Sequence, residues 1–184
     1  MSLRVEGNNG NVLDVNSRGY GRVISASLSP QALVTIIDER CWTASDTQTP
    51  TGAADEFFYL RNDNTRHNLV ISRLQFNAAS AETVLLARVT GTAAGGTALT
   101  PLNRVLNVGA SPNATIESGV DITGLTLDAA LEMWEGTTGD PIDLSNRPIV
   151  IPPNEAVALS AVTGAIAIQF MVDFYRQLVE PAVL

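Results

Sequence analysis

The sequence predicts an all-β fold, an antiparallel sandwich or a barrel, with an extended N-terminal arm ahead of it. Three observations carry this reading. In Ile166, Ile168, Phe170, Val172 and Phe174 one face is wholly apolar, while Ala167, Gln169, Met171, Asp173 and Tyr175 are mixed. That is the period of a long strand with one buried side. Shorter runs repeat the alternation, and turn-forming clusters separate them about every 8–12 residues, the spacing of a sandwich or barrel. Helical periodicity is confined to one stretch.

In chain order, residues 1–28 read as an arm ending in a first strand over 22–28, and residues 29–184 as the β domain. Between Ser2 and Arg22 the chain holds four Asn, four Gly and three Arg against few strongly apolar side chains. Such a segment buries too little to offset an ordering cost of about 1–2 kcal/mol per residue. If it is ordered, another surface supplies the difference. Further strands are expected at 33–37, 56–61, 69–76, 83–90, 104–108, 116–126, 147–151, 156–162 and 166–175. The breakers between them are Thr49-Pro-Thr-Gly, Asn62-Asp-Asn-Thr, Gly91-Thr-Ala-Ala-Gly-Gly, Gly109-Ala-Ser-Pro-Asn, Gly136-Thr-Thr-Gly-Asp-Pro and Pro152-Pro-Asn. Residues 128–135 fit two readings. Asp128 as N-cap and Gly136 beyond the C-terminus would frame two helical turns, whereas Leu131 and Met133 also suit a strand.

Charge narrows the function. The 184 residues carry a net charge of −8, and every cation is arginine. A backbone-binding nucleic-acid protein needs clustered cations, so the expectation is no nucleic-acid partner. No run approaches the 18 or so apolar residues of a membrane span, and the first residues lack the apolar core of a secretory signal. One cysteine, Cys41, rules out an internal disulfide and multi-cysteine metal sites, and one histidine, His67, thins acid–base chemistry.

Each candidate for chemistry has a plainer reading beside it. His67 falls between two strands, in no nucleophile motif, and reads as a solvated loop residue. Cys41 follows Asp38 and Glu39, whose charges would raise a thiol pKa, so it reads as a small half-buried residue. Glu132, Glu135, Asp140 and Asp143 form the densest acidic cluster. Paired carboxylates serve glycoside hydrolysis, but a solvated rim is the simpler account. Asn62-Asp63-Asn64 and residues 140–146 are oxygen-rich enough to consider Ca²⁺, yet neither has the EF-hand spacing. The expectation is therefore no enzyme, with no catalytic, metal or cofactor residues.

Three segments carry a resemblance. Val12-Leu-Asp-Val-Asn-Ser-Arg-Gly-Tyr-Gly-Arg-Val resembles the N-terminal arm of small virion structural proteins of tailed bacteriophages. Glu56-Phe-Phe-Tyr-Leu-Arg-Asn-Asp-Asn with Leu69-Val-Ile-Ser-Arg-Leu resembles their paired strands. Ile149-Val-Ile-Pro-Pro-Asn-Glu-Ala-Val-Ala-Leu resembles their closing hairpin, with Asn154 where glycine is commoner; Asn also tolerates positive φ. The resemblance implies a jelly roll that self-associates, as a homotrimer in the commonest form, and decorates or cements the capsid. It implies the major capsid protein or another virion protein as partner. The location would be the virion, assembled in the cytoplasm of the bacterial host. Arg4, Arg18, Tyr20 and Arg22 of the arm become the partner-binding residues, the arginines facing carboxylates of an acidic shell. The same architecture serves receptor- or glycan-binding fibres, spikes and tail adaptors, which is the alternative reading.

Overall fold

The computed structural model describes residues 3–6, 11–15, 21–25, 40–105, 110–136, 141–144 and 147–178, and every element among them is a β-strand. Three lie at the N-terminus: β1 (Leu3–Glu6), β2 (Asn11–Val15) and β3 (Gly21–Ser25). They form an antiparallel meander in the order β1-β2-β3, which is a sheet of its own. The expected first strand thus has its described part in β3, with two more strands ahead of it. The boundary at residue 29 and the expected strand at 33–37 lie outside the described residues.

The remaining strands build a two-layer sandwich by nested pairing. β4 (Cys41–Gln48) pairs with the last strand, β15 (Ile168–Leu178). β5 (Glu56–Asn62) pairs with β14 (Ala156–Ala161). β6 (His67–Ala78) pairs with β12 (Ile142–Asp143) and β13 (Ile149–Ile151). β7 (Glu82–Ala94) pairs with β11 (Thr123–Gly136). First with last, second with second-last, and so inward is the ladder of a jelly roll. Rolling it up places alternate pairs in opposite sheets. One sheet therefore runs β11-β7-β14-β5, and the other β12/β13-β6-β15-β4.

The chain between β7 and β11 extends the opposite edges. β8 (Thr97–Ala98) and β10 (Ala114–Ser118) continue the first sheet beyond β5, and β9 (Leu102–Asn103) continues the second beyond β4. The strand expected at 116–126 is in fact two. After Ser118 the Gly119 and Ile122 amides donate to the carbonyls of Phe57 and Glu56, and the chain then turns into β11. The strand expected at 104–108 is displaced: β9 ends at Asn103, Arg104 and Val105 form a bend, and 106–108 lie outside the described residues.

The core lies between the sheets. Phe170 packs against Phe57 and Phe58 with ring centroids 5.5 and 5.1 Å apart, and Phe174 stacks on Trp42 at 6.0 Å. Ile168, Phe170, Val172 and Phe174 are all buried, the face that the alternation marks. Asn154 closes the turn between β13 and β14 with a φ of +65°, the conformation its Asn side chain tolerates. Residues 128–135 are strand, because ten residues of β11 find register partners on β7 and that ladder outweighs weak helical capping.

Candidate functional site

The sequence offers two kinds of site, a chemical one and a surface one, and the geometry treats them differently. Glu132 and Glu135 lie three residues apart on a strand in regular register with Leu86 and Thr83. Side chains on a strand alternate, so the two carboxylates leave opposite faces of the sheet. Glu132 reaches Arg147 at 3.8 Å. Asp143 sits in the other sheet, on β12, and Asp140 lies outside the described residues. Glu132 and Glu135 therefore do not form a carboxylate pair.

His67 is not in a loop: it opens β6, half-buried, with Arg40 Nη1 3.3 Å from Nε2. Cys41 is wholly rather than half-buried, in a small cluster with Val70 and Tyr175. Cys41 pairs with Tyr175 and His67 with Leu178, three residues further along β15. β4 and β6 lie on opposite sides of β15. About 3.4 Å per residue along the strand and about 4.8 Å per strand across it separate the two backbones by roughly 14 Å, too far for a thiol–imidazole pair.

The Asn62-Asp63-Asn64 oxygens are spent on the fold. Asn62 Nδ2 donates to the carbonyls of His67 and Ile151, both at 2.8 Å, and its Oδ1 accepts from the Asn64 amide at 3.0 Å and Asn64 Nδ2 at 2.9 Å. Asn64 Nδ2 donates in turn to the carbonyls of Pro112 and Asn113. Asp63 accepts from Thr115 Oγ1 at 2.7 Å and meets Arg61 at 3.4 Å. This is a clasp joining four chain segments at one end of the sandwich. Among the described residues no three His, Cys, Asp or Glu side chains cluster as metal ligands would.

Two further groups went unmarked in the sequence. Asp173 points outward from β15 yet is 1% exposed, because Arg104 Nη1 at 2.6 Å and Thr43 Oγ1 at 2.6 Å close over it. Glu56 is buried, and burial pushes its carboxyl above the ordinary value, with the charges of Asp121 and Asp55 adding to the effect and backbone hydrogen bonding opposing it. A carboxylate with a raised folded-state pKa costs stability once the pH exceeds its unfolded value, and costs nothing below it. Glu56→Gln is therefore expected to melt like the parent at pH 3.5 and above it at pH 8. A lower melting temperature at pH 8 would show that the fold needs the charged form.

The surface residues divide as well. Arg4 lies on β1 and Arg22 on β3, the two edges of the meander, and the register sets both opposite Asp14 on β2. One row across the three strands thus holds two cations and one anion. Arg18 and Tyr20 lie outside the described residues. On the sandwich, two clefts lie on the side bounded by β11, β12 and β13. A cleft of about 400 Å³ there is lined by Phe76, Val84, Met133, Trp134 and Ile142 with Glu82 and Glu135 at its rim. A second, of about 300 Å³, lies among Leu131, Val150, Pro152 and Val157 beside the Arg88–Glu155 ion pair. Leu131 and Met133 are 49% and 60% exposed. Neither tryptophan forms an exposed platform: Trp42 is buried and donates to the Ala110 carbonyl at 3.0 Å, and Trp134 packs on Phe76 at 5.5 Å. No family model, curated protein or solved structure matches the chain.

Proposed function

We propose that the chain is a non-enzymatic structural protein of a tailed-bacteriophage particle. It decorates or cements the capsid as an oligomer, a homotrimer by the resemblance, and it contacts the major capsid protein or another virion protein. The observation that carries this reading is the N-terminal meander. Among the described strands it pairs with neither sheet of the sandwich, and its strands carry two arginines, Arg4 and Arg22, against two carboxylates, Glu6 and Asp14, in a chain whose other residues are strongly acidic. A small charge-balanced sheet joined to an acidic jelly roll is suited to attachment rather than to chemistry. Of the acidic cluster Glu132 meets Arg147, and the Asn62 and Asn64 amides are taken up in the clasp.

A fibre, spike or tail adaptor differs from a cement protein in copy number, a dozen or so per particle against hundreds. Densitometry of purified particles against the major capsid protein separates them. Attachment is tested by truncation. The variant lacking residues 2–25 keeps every strand of the sandwich and is expected to melt close to the parent temperature. Mixed with particles that lack the native protein and then sedimented, it is expected to stay in the supernatant while the full chain pellets. Full occupancy by the truncated form would move attachment to the sandwich faces.

A further inference from the structure

The geometry points to β11 as a docking edge for the N-terminal meander of a second copy of this chain, residues 132–136 receiving β3 by strand addition. The inference rests on the self-association half of the proposed function and names its interface.

β11 ends its sheet, and among the described strands nothing pairs with its outer side. An open edge of this length invites another strand unless it is blunted. Its first half is blunted. Register shifts fall between Thr123 and Leu125, between Leu127 and Ala130, and between Ala130 and Glu132, and Asp128 is tied at 3.7 Å to Arg88. Residues 132–136 are not, for they run in unbroken register against residues 82–86 of β7. This leaves five regular residues beside a cleft in which Trp134 is half-buried against the buried Phe76 and Met133 projects.

Charge selects the occupant. β11 carries Asp128, Glu132 and Glu135 and no cation. Two β11 strands pairing with each other would bring these carboxylates together, and like charges opposite one another are destabilising. β3, Gly-Arg-Val-Ile-Ser, matches the regular stretch in length, is an edge of its own sheet, and carries Arg22 with no acid. Its Val23 and Ile24 supply an apolar residue for either face of the extended sheet. Within one chain the meander does not pair with β11. The 15 residues between Ser25 and Cys41 span at most about 50 Å, enough for a neighbour to be reached. Passed from copy to copy, the contact is head-to-tail and closes into a ring when the rotation allows.

Sedimentation velocity of the full chain over 1–100 µM tests this. The full chain is expected to associate, and the 2–25 deletion to remain a monomer. Arg22→Glu and Glu135→Arg, both strand-surface changes, are expected to weaken association about tenfold each. The double variant should return to near the parent value. Met133→Glu, on an exposed position, should weaken it as well. Circular dichroism and melting curves confirm that each variant is folded. A full chain that stays monomeric at 100 µM overturns both the interface and the self-association reading. Association that survives the deletion, a charge reversal without effect, or a double variant that fails to recover overturns the interface alone.

Discussion

Phe170→Ala is expected to lower the unfolding free energy by about 3–5 kcal/mol, the cost of deleting a buried aromatic from a core that cannot collapse around the void. The neighbours define why it cannot. Phe170, the third residue of β15, has Phe57 and Phe58 from the opposite sheet on its ring, while β4 and β6 hold its backbone on both sides. Relaxation would have to move two hydrogen-bonded strands. Gln169→Ala, one residue away on the outward and exposed side, is expected to change stability by less than about 1 kcal/mol. Chemical denaturation of both variants at one pH is the measurement. Equal losses would mean that β15 does not have one core face, and with it the nested ladder from β4 to β15 would fall.

That strand was legible because its inward positions are all large and apolar, so the sequence alternates as the structure does. Elsewhere the sequence hides what the fold makes. β4 starts inward with Trp42 and Ala44 and continues with Asp46 and Gln48, so its alternation fades after two residues. The polar pair is tolerable because Ser118 Oγ and Gln48 Nε2 both donate to Asp46 Oδ2, at 2.6 and 2.7 Å, and Ser118 is 72 residues away. No local pattern announces such a contact. Asp173 is hidden in the same manner: on β15 it occupies an outward position, and only the distant Arg104 and Thr43 turn it into a buried charge. Gly91 reads as loop punctuation and Gly124 falls inside the strand expected at 116–126, yet the two face one another across β7 and β11. Both have positive φ, and a Cβ on either would strike the other strand's backbone. The acidic run at 132–143, read as a solvated rim, offered a carboxylate pair only through nearness in sequence. Nearness in sequence became opposite faces and different sheets once the segment was a strand. The arm's arginines carry through as a cross-strand row at Arg4 and Arg22, and their role remains the proposal argued above.

Asn62→Ala is the second large effect, expected at about 3–5 kcal/mol. The side chain is fully buried and uses its whole hydrogen-bonding capacity, two donors to the His67 and Ile151 carbonyls and one oxygen shared by the Asn64 amide and side chain. Alanine leaves two carbonyls and an amide without those partners, each costing about 1–3 kcal/mol where water does not replace the bond. Asn64 Nδ2 keeps the carbonyls of Pro112 and Asn113, so the loss falls short of a complete sum. Asn62→Asp is expected to be at least as damaging, since it sets a buried oxygen against two carbonyl oxygens where an NH₂ donated. Asp63→Ala, between them in sequence but on the surface beside Arg61, is expected to cost about 1 kcal/mol or less. The same trio was the oxygen-rich candidate for Ca²⁺, so calorimetry of the parent with and without 5 mM calcium completes the test. A clasp predicts no shift in melting temperature, because its inward oxygens already have donors. A rise of several degrees that Asn62→Ala abolishes would mean that the trio holds a cation rather than four segments of chain.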